Sequence, residues 1–115
     1  MFYLLCHSHH TGTLKVDGDI QLEQLTPALC YSPVFKLTCV TTGGPATTVL
    51  WKKNMMTVNN SNTAHVTTTL IDRVEATYLH TLTVMTSNLT GFYQIAIQNS
   101  NSRVTSSINI TSKFI

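Results

Sequence analysis

Nine consecutive residues, Gly91-Phe92-Tyr93-Gln94-Ile95-Ala96-Ile97-Gln98-Asn99, repeat with a period of two, so that Tyr93, Ile95 and Ile97 fall on one face of an extended strand. A second run, Phe35-Lys36-Leu37-Thr38-Cys39, alternates more cleanly, with Lys36 and Thr38 facing out. Trp51 follows Cys39 by twelve residues, on a third run with Val49 and Trp51 inward and Leu50 and Lys52 outward. No stretch carries the 3.6-residue period of a helix longer than a turn, so the chain is confined to sheet architectures.

The rest of the sequence supplies further strands. Residues 14–26 alternate weakly through Leu14, Val16, Ile20 and Leu22, with Asp17-Gly18-Asp19 as a turn, and stop at Thr26-Pro27. Pro27 and Pro33 each remove a ladder donor, which places this strand on an edge. Strands are expected over 34–40, 47–53, 65–72, 77–86, 91–99 and 104–110, with a short strand or turn and an Asn-rich loop over 54–63. In the 77–86 strand Leu82 and Val84 are expected inward and His80 near the rim.

A cysteine, then a tryptophan, then Gly-x-Tyr-x leading to a second core position is a layout that resembles the immunoglobulin superfamily. The resemblance rests on Cys39, Trp51, Leu82, Gly91, Tyr93 and Asn99 and covers roughly residues 20–112. It is nearest to the intermediate or constant-2-like sets of cell-adhesion molecules and receptor ectodomains. It implies an all-β fold, a two-sheet antiparallel Greek-key sandwich, with a core signature of Cys39, Trp51, Leu82, Tyr93 and Ile95. The Tyr93 hydroxyl would bond upstream backbone at a corner, and Trp51 would sit against Cys39 across the sheets.

Two positions depart from the pattern. Ile95 stands where the second sandwich cysteine belongs, and Leu89 where the family has an aspartate. A Cys39-to-95 bridge would close a loop of over fifty residues and stabilise by about 4 kcal/mol on the chain-entropy account. Apolar burial of Ile95 returns about 1.5–3 kcal/mol. The expectation is a folded domain less stable than a bridged relative. A fibronectin type III domain also lacks the bridge, but carries its tryptophan on the strand before the one that holds Trp51.

At 115 residues the chain fits one domain. Its expected boundaries are residues 14–115, with 1–13 as a disordered leader or the end of a truncated upstream segment of a larger ectodomain. Charged residues make up 10% and the net charge is +2, too little to argue for a nucleic acid or an anionic membrane surface. No apolar run reaches the ~20 residues that span a bilayer. Three cysteines, Cys6, Cys30 and Cys39, are an odd number, so at least one is free or bonded to another chain. Cys6-His7-Ser8-His9-His10 is dense in metal-ligand types, yet no second cluster completes a tetrahedral set, and no metal or cofactor is expected.

Asn59, Asn88 and Asn109 begin Asn-x-Ser/Thr sequons and are candidate glycosylation sites. Together with twenty threonines, they fit an extracellular or cell-surface domain of a membrane-anchored parent. The resemblance implies a protein-recognition module that meets other ectodomains, homophilically or heterophilically. Leu50, Lys52, Gln94, Ala96 and Thr105 would form its partner face. The alternative is a structural spacer with no ligand of its own. An enzyme is not expected, because no paired carboxylates, phosphate loop or nucleophile motif is present. Asp72, Glu75 and His80 are a triad on paper only.

Overall fold

The computed structural model describes residues 12–25 and 33–111. Cys6, the histidine cluster around it, Pro27 and Cys30 lie outside the described residues. Nine strands follow in order: β1 (Lys15–Val16), β2 (Gln21–Gln24), β3 (Val34–Thr42), β4 (Thr48–Lys53), β5 (Met56–Thr57), β6 (Ala64–Asp72), β7 (Thr77–Met85), β8 (Gly91–Gln98) and β9 (Arg103–Ile110). They form two antiparallel sheets. In one, β3 pairs on one side with β1 and β2 and on the other with β7, which carries β6 at the edge; the other sheet runs β5-β4-β8-β9.

The period of two decides which side chains enter the space between the sheets. From β3 these are Phe35, Leu37 and Cys39, and from β7 Leu82. From the facing sheet come Trp51 on β4 and Tyr93, Ile95 and Ile97 on β8. Leu14, Ile20, Leu89 and Ile110 close the same cluster at its margins. Trp51 stands directly opposite Ile95 in the β4–β8 register. Its indole Nε1 is the one buried side-chain donor without a partner among the described residues, an omission that costs about 1–3 kcal/mol.

The segment expected as a single strand over 14–26 is two short ones. The Asp17 N–H reaches the Val40 carbonyl at 2.8 Å, after which Gly18 takes a positive φ of 83° and the chain steps to a new register on β3. Gly43 is required at the β3–β4 loop: its φ is 104°, and a Cβ there would run into the Thr13 carbonyl oxygen.

His80 corrects a second expectation. It lies in mid-β7 opposite Cys39 and is 1% exposed, not at the rim. Thr41 Oγ1 on β3 meets its Nε2 at 2.8 Å and Thr68 Oγ1 on β6 meets its Nδ1 at 3.0 Å. A neutral imidazole donates through one nitrogen and accepts through the other, and hydroxyls can serve either. Burial pushes the His80 pKa below its ordinary 6.5.

At the β7–β8 corner the Tyr93 hydroxyl donates to the Leu89 carbonyl at 2.8 Å, and burial pushes the phenol up to about 12. Leu89 itself is 1% exposed. At the position where the resemblance calls for an aspartate, Leu89 thus packs into the core. Cys39 is a free, buried thiol pushed up to about 11 by desolvation, which leaves it protonated and unreactive at neutral pH.

Three outcomes follow from these contacts. Tyr93→Phe strands the Leu89 carbonyl and lowers unfolding free energy by about 1–2 kcal/mol in urea titrations. Ile95→Cys forms a bridge to Cys39 in oxidising buffer and raises Tm by about 5 °C or more, with the gain lost on reduction; an unchanged Tm would place the two positions out of reach. Because the folded His80 pKa lies below 6.5, the unfolded chain binds the extra proton. Stability from this residue is complete above pH 6.5 and declines as the pH falls toward the folded value. Thermal melts of His80→Gln should lack this component of the acid decline.

Candidate binding surface

The five residues read from sequence as a partner face come together on the outer side of the β5-β4-β8-β9 sheet. Pairing aligns Leu50 with Ala96 and Ala96 with Thr105, so these three form one row across β4, β8 and β9. Lys52, Gln94 and Ser107 form the next row, and Thr48, Gln98 and Arg103 the row on the other side. Leu50, Lys52, Gln94 and Ala96 are half-buried by their neighbours, whereas Thr105 is exposed. The result is a ribbed, mostly uncharged surface with one cation toward each end.

Asn109 stands on the same side of β9. It is exposed and lies opposite Phe92, one row beyond Gln94 and Ser107. A glycan there would border the partner face and narrow it. Asn88 lies at the β7–β8 corner, away from this surface, and its Oδ1 accepts from the Thr90 N–H at 3.1 Å and the Thr90 hydroxyl at 2.7 Å. Asn59 is exposed on the loop between β5 and β6.

Two features of this sheet were not singled out in the sequence. Asn54 and Met55 both take positive φ, 51° and 69°, and make the tight turn between β4 and β5. Asn54 accepts the Phe92 N–H at 2.9 Å through Oδ1 and donates its own N–H to the Phe92 carbonyl at 2.8 Å, fixing the turn to the start of β8. Gly91 must then be glycine, because a Cβ at its φ of 151° would press on the Lys53 stem and the Asn54 amide. The turn thrusts Met55 and Met56 outward, 66% and 73% exposed. The signal was present in Asn-x at a hairpin, but Asn54 resembles any polar loop residue until its distant partner is known.

The core signature residues serve the frame. Cys39, Trp51, Leu82, Tyr93 and Ile95 all lie in the buried cluster, out of reach of a partner. His80 is occupied on both ring nitrogens by threonines. Asp72 instead folds its carboxylate back onto the Val74 and Glu75 N–H groups at the β6–β7 turn. Among the described residues, no group of three or more His, Cys, Asp or Glu is placed to hold a metal ion. Lys53 holds its ammonium 5.6 Å from the Tyr93 ring, beside an open cleft of about 210 Å³ between the sheets. No helix among the described residues is long and apolar enough to cross a membrane.

No protein-family profile and no curated protein matches the sequence. Among solved structures, the chain is similar to the crystal structure of Down Syndrome Cell Adhesion Molecule, isoform 1.30.30, which holds its N-terminal eight Ig domains. The TM-score is 0.59 at 15% identity, over 81% of this chain and 12% of that one. At that identity the likeness speaks to architecture alone. With two antiparallel sheets closed over Trp51 and Tyr93, and with this structural neighbour, the chain has an immunoglobulin-like sandwich fold.

Proposed function

We propose that the chain is a protein-recognition module of an adhesion- or receptor-type ectodomain, and that the outer face of β4, β8 and β9 is its contact surface. The observation that carries this reading is the row Leu50–Ala96–Thr105 in register with Lys52–Gln94–Ser107. Around Ala96 and Thr105 the side chains are small and uncharged, which allows a partner to approach closely, while Lys52 and Arg103 stand toward the two ends. The structural neighbour is an adhesion molecule, which agrees with the reading. The sequons fit an extracellular setting in which Asn109 carries a glycan at the margin of the face. The domain is read as non-enzymatic and without a cofactor.

The second reading, a spacer that sets the distance between neighbouring domains, draws on the same low charge: 10% of residues are charged, which gives little to steer a partner. Avidity separates the two. Tetramers of the domain should stain intact cells in a protease-sensitive manner. Ala96→Arg and the more exposed Thr105→Arg should each abolish the staining, while Gln21→Arg on the opposite sheet should leave it, with all variants melting like the parent. Absence of staining across cell types, or equal loss from all three variants, would favour the spacer.

A further inference from the structure

The outer strand of the opposite sheet, β6, is long and uncharged up to its last residue, Asp72. From Ala64 to Ile71 the sequence is Ala-His-Val-Thr-Thr-Thr-Leu-Ile, with no Lys, Arg, Asp or Glu. Residues 67–72 are exposed along its length. Folded proteins guard such edges with charges, prolines, bulges or covering loops, because an open ladder is a template for another strand. Here the guards sit only at the two ends. At the start, the Asn60 side chain accepts the Val66 N–H at 2.7 Å and the Ser61 N–H takes the Ala64 carbonyl at 2.8 Å. At the far end the register slips between Leu70 and Asp72.

The Val66–Asn60 bond also shows which groups point outward. Val66 turns its N–H away from β7, and the alternation of an antiparallel ladder turns Thr68 and Leu70 the same way. Between the two guards, the edge-facing backbone groups of Thr68 and Leu70 have no partner among the described residues. Three exposed apolar side chains stand at this far end, Leu70 at 38%, Ile71 at 53% and Val74 at 90%, while Met85 at 45% is exposed at the other end of β7.

We propose that this edge pairs with the β6 edge of a second copy of the chain, antiparallel and two-fold symmetric about Thr69. This inference goes beyond the β4–β8–β9 contact face and does not depend on it. The open groups select the register. With the axis at Thr69, Thr68 of each copy stands opposite Leu70 of the other and exchanges both backbone bonds with it, using the open donor and acceptor of both residues. Shifting the axis to Thr68 would set Val66, already held by Asn60, opposite Leu70 and waste the pair. The uncharged run favours a second copy as occupant: it lies against itself without like-charge repulsion and offers a charged partner nothing to pair with. The two Leu70 side chains become diagonal neighbours on one face of the joined ladder, close enough to share their exposed surface. The symmetry closes the contact at two copies. The edge formed by β9 carries a guard at its start, where the Leu14 N–H bonds to Ser102 Oγ at 2.9 Å and Arg103 opens the strand.

Sedimentation equilibrium of the full chain in reductant, which removes thiol-linked dimers, tests this from about 10 µM to about 1 mM, the range of a small contact. The parent should show a monomer–dimer equilibrium. Thr69→Lys, at an exposed position whose N–H faces β7, sets two like charges opposite each other and should weaken association about tenfold or more. Thr69→Glu should do the same. An equimolar mixture of the two should recover the dimer, which only direct Thr69–Thr69 apposition explains. A parent that stays monomeric throughout, a Lys variant that dimerises like the parent, or a mixture no tighter than either variant alone overturns the proposal.

Discussion

Trp51 faces Ile95 across a ladder rung, and both share one buried cluster with Cys39 and Leu82 of the other sheet. Nothing covalent joins the two layers at this point, so their separation is set by how these side chains fill the gap. That constraint spreads outward. Once Trp51, Ile95 and Ile97 are inside, Leu50, Gln94 and Ala96 have to be outside, because a slip of one residue would turn every apolar side chain of β4 and β8 to solvent. The outer face of this sheet is thus a consequence of the core: its rows are what remain when the inner positions are assigned.

The same constraint accounts for the polar groups found inside. Beside Cys39 the interior also holds Thr41 and His80, where aliphatic residues would serve packing alone. They are tolerable because Thr41, His80 and Thr68 satisfy one another across three strands, and an imidazole held between two hydroxyls has no need to be charged. Such a relay ties β3, β7 and β6 at one level. It gives the edge strand β6, largely exposed beyond Val66, an anchor to the interior. The Tyr93–Leu89 bond does similar work at the opposite corner, where the turn into β8 is held by a hydroxyl and the adjoining apolar side chain is drawn inward.

The strands that bury one face were legible, because period-two alternation survives in any single stretch: β3, β4, β7, β8 and β9 lie within a residue or two of their expected bounds. What sequence concealed was the set of interactions between residues far apart in the chain. His80 and Thr41 are separated by 39 positions, Asn54 and Phe92 by 38, and Asn99 reaches Gly12 across 87. Each is a polar residue whose place depends on a partner that no local pattern reveals, so His80 was set at the rim and Asn54 in a loop. The 14–26 segment failed for a related reason: its alternation is correct in phase at both ends, but β3 changes which of its residues it offers as the chain crosses Gly18. That Leu50, Lys52, Gln94, Ala96 and Thr105 share one outer side follows from strand parity alone, whereas their arrangement into rows needed the register.

Asparagine takes the part that charge plays in many soluble domains. Asn54 fastens the β4–β5 turn to β8, Asn60 covers the first open donor of β6, and the Asn99 amide accepts from Asn101 and Ser102 while donating to the Gly12 carbonyl. An amide can donate and accept at once, so one side chain closes a corner that would otherwise take two charged groups. The Lys36–Glu23 pair at 3.6 Å is partly exposed on both sides and adds little beside these bonds. Uncharged closures also carry no long-range field. A surface built this way neither attracts nor repels strongly at a distance, so side-chain shape and open backbone groups count for more in any contact than electrostatic steering.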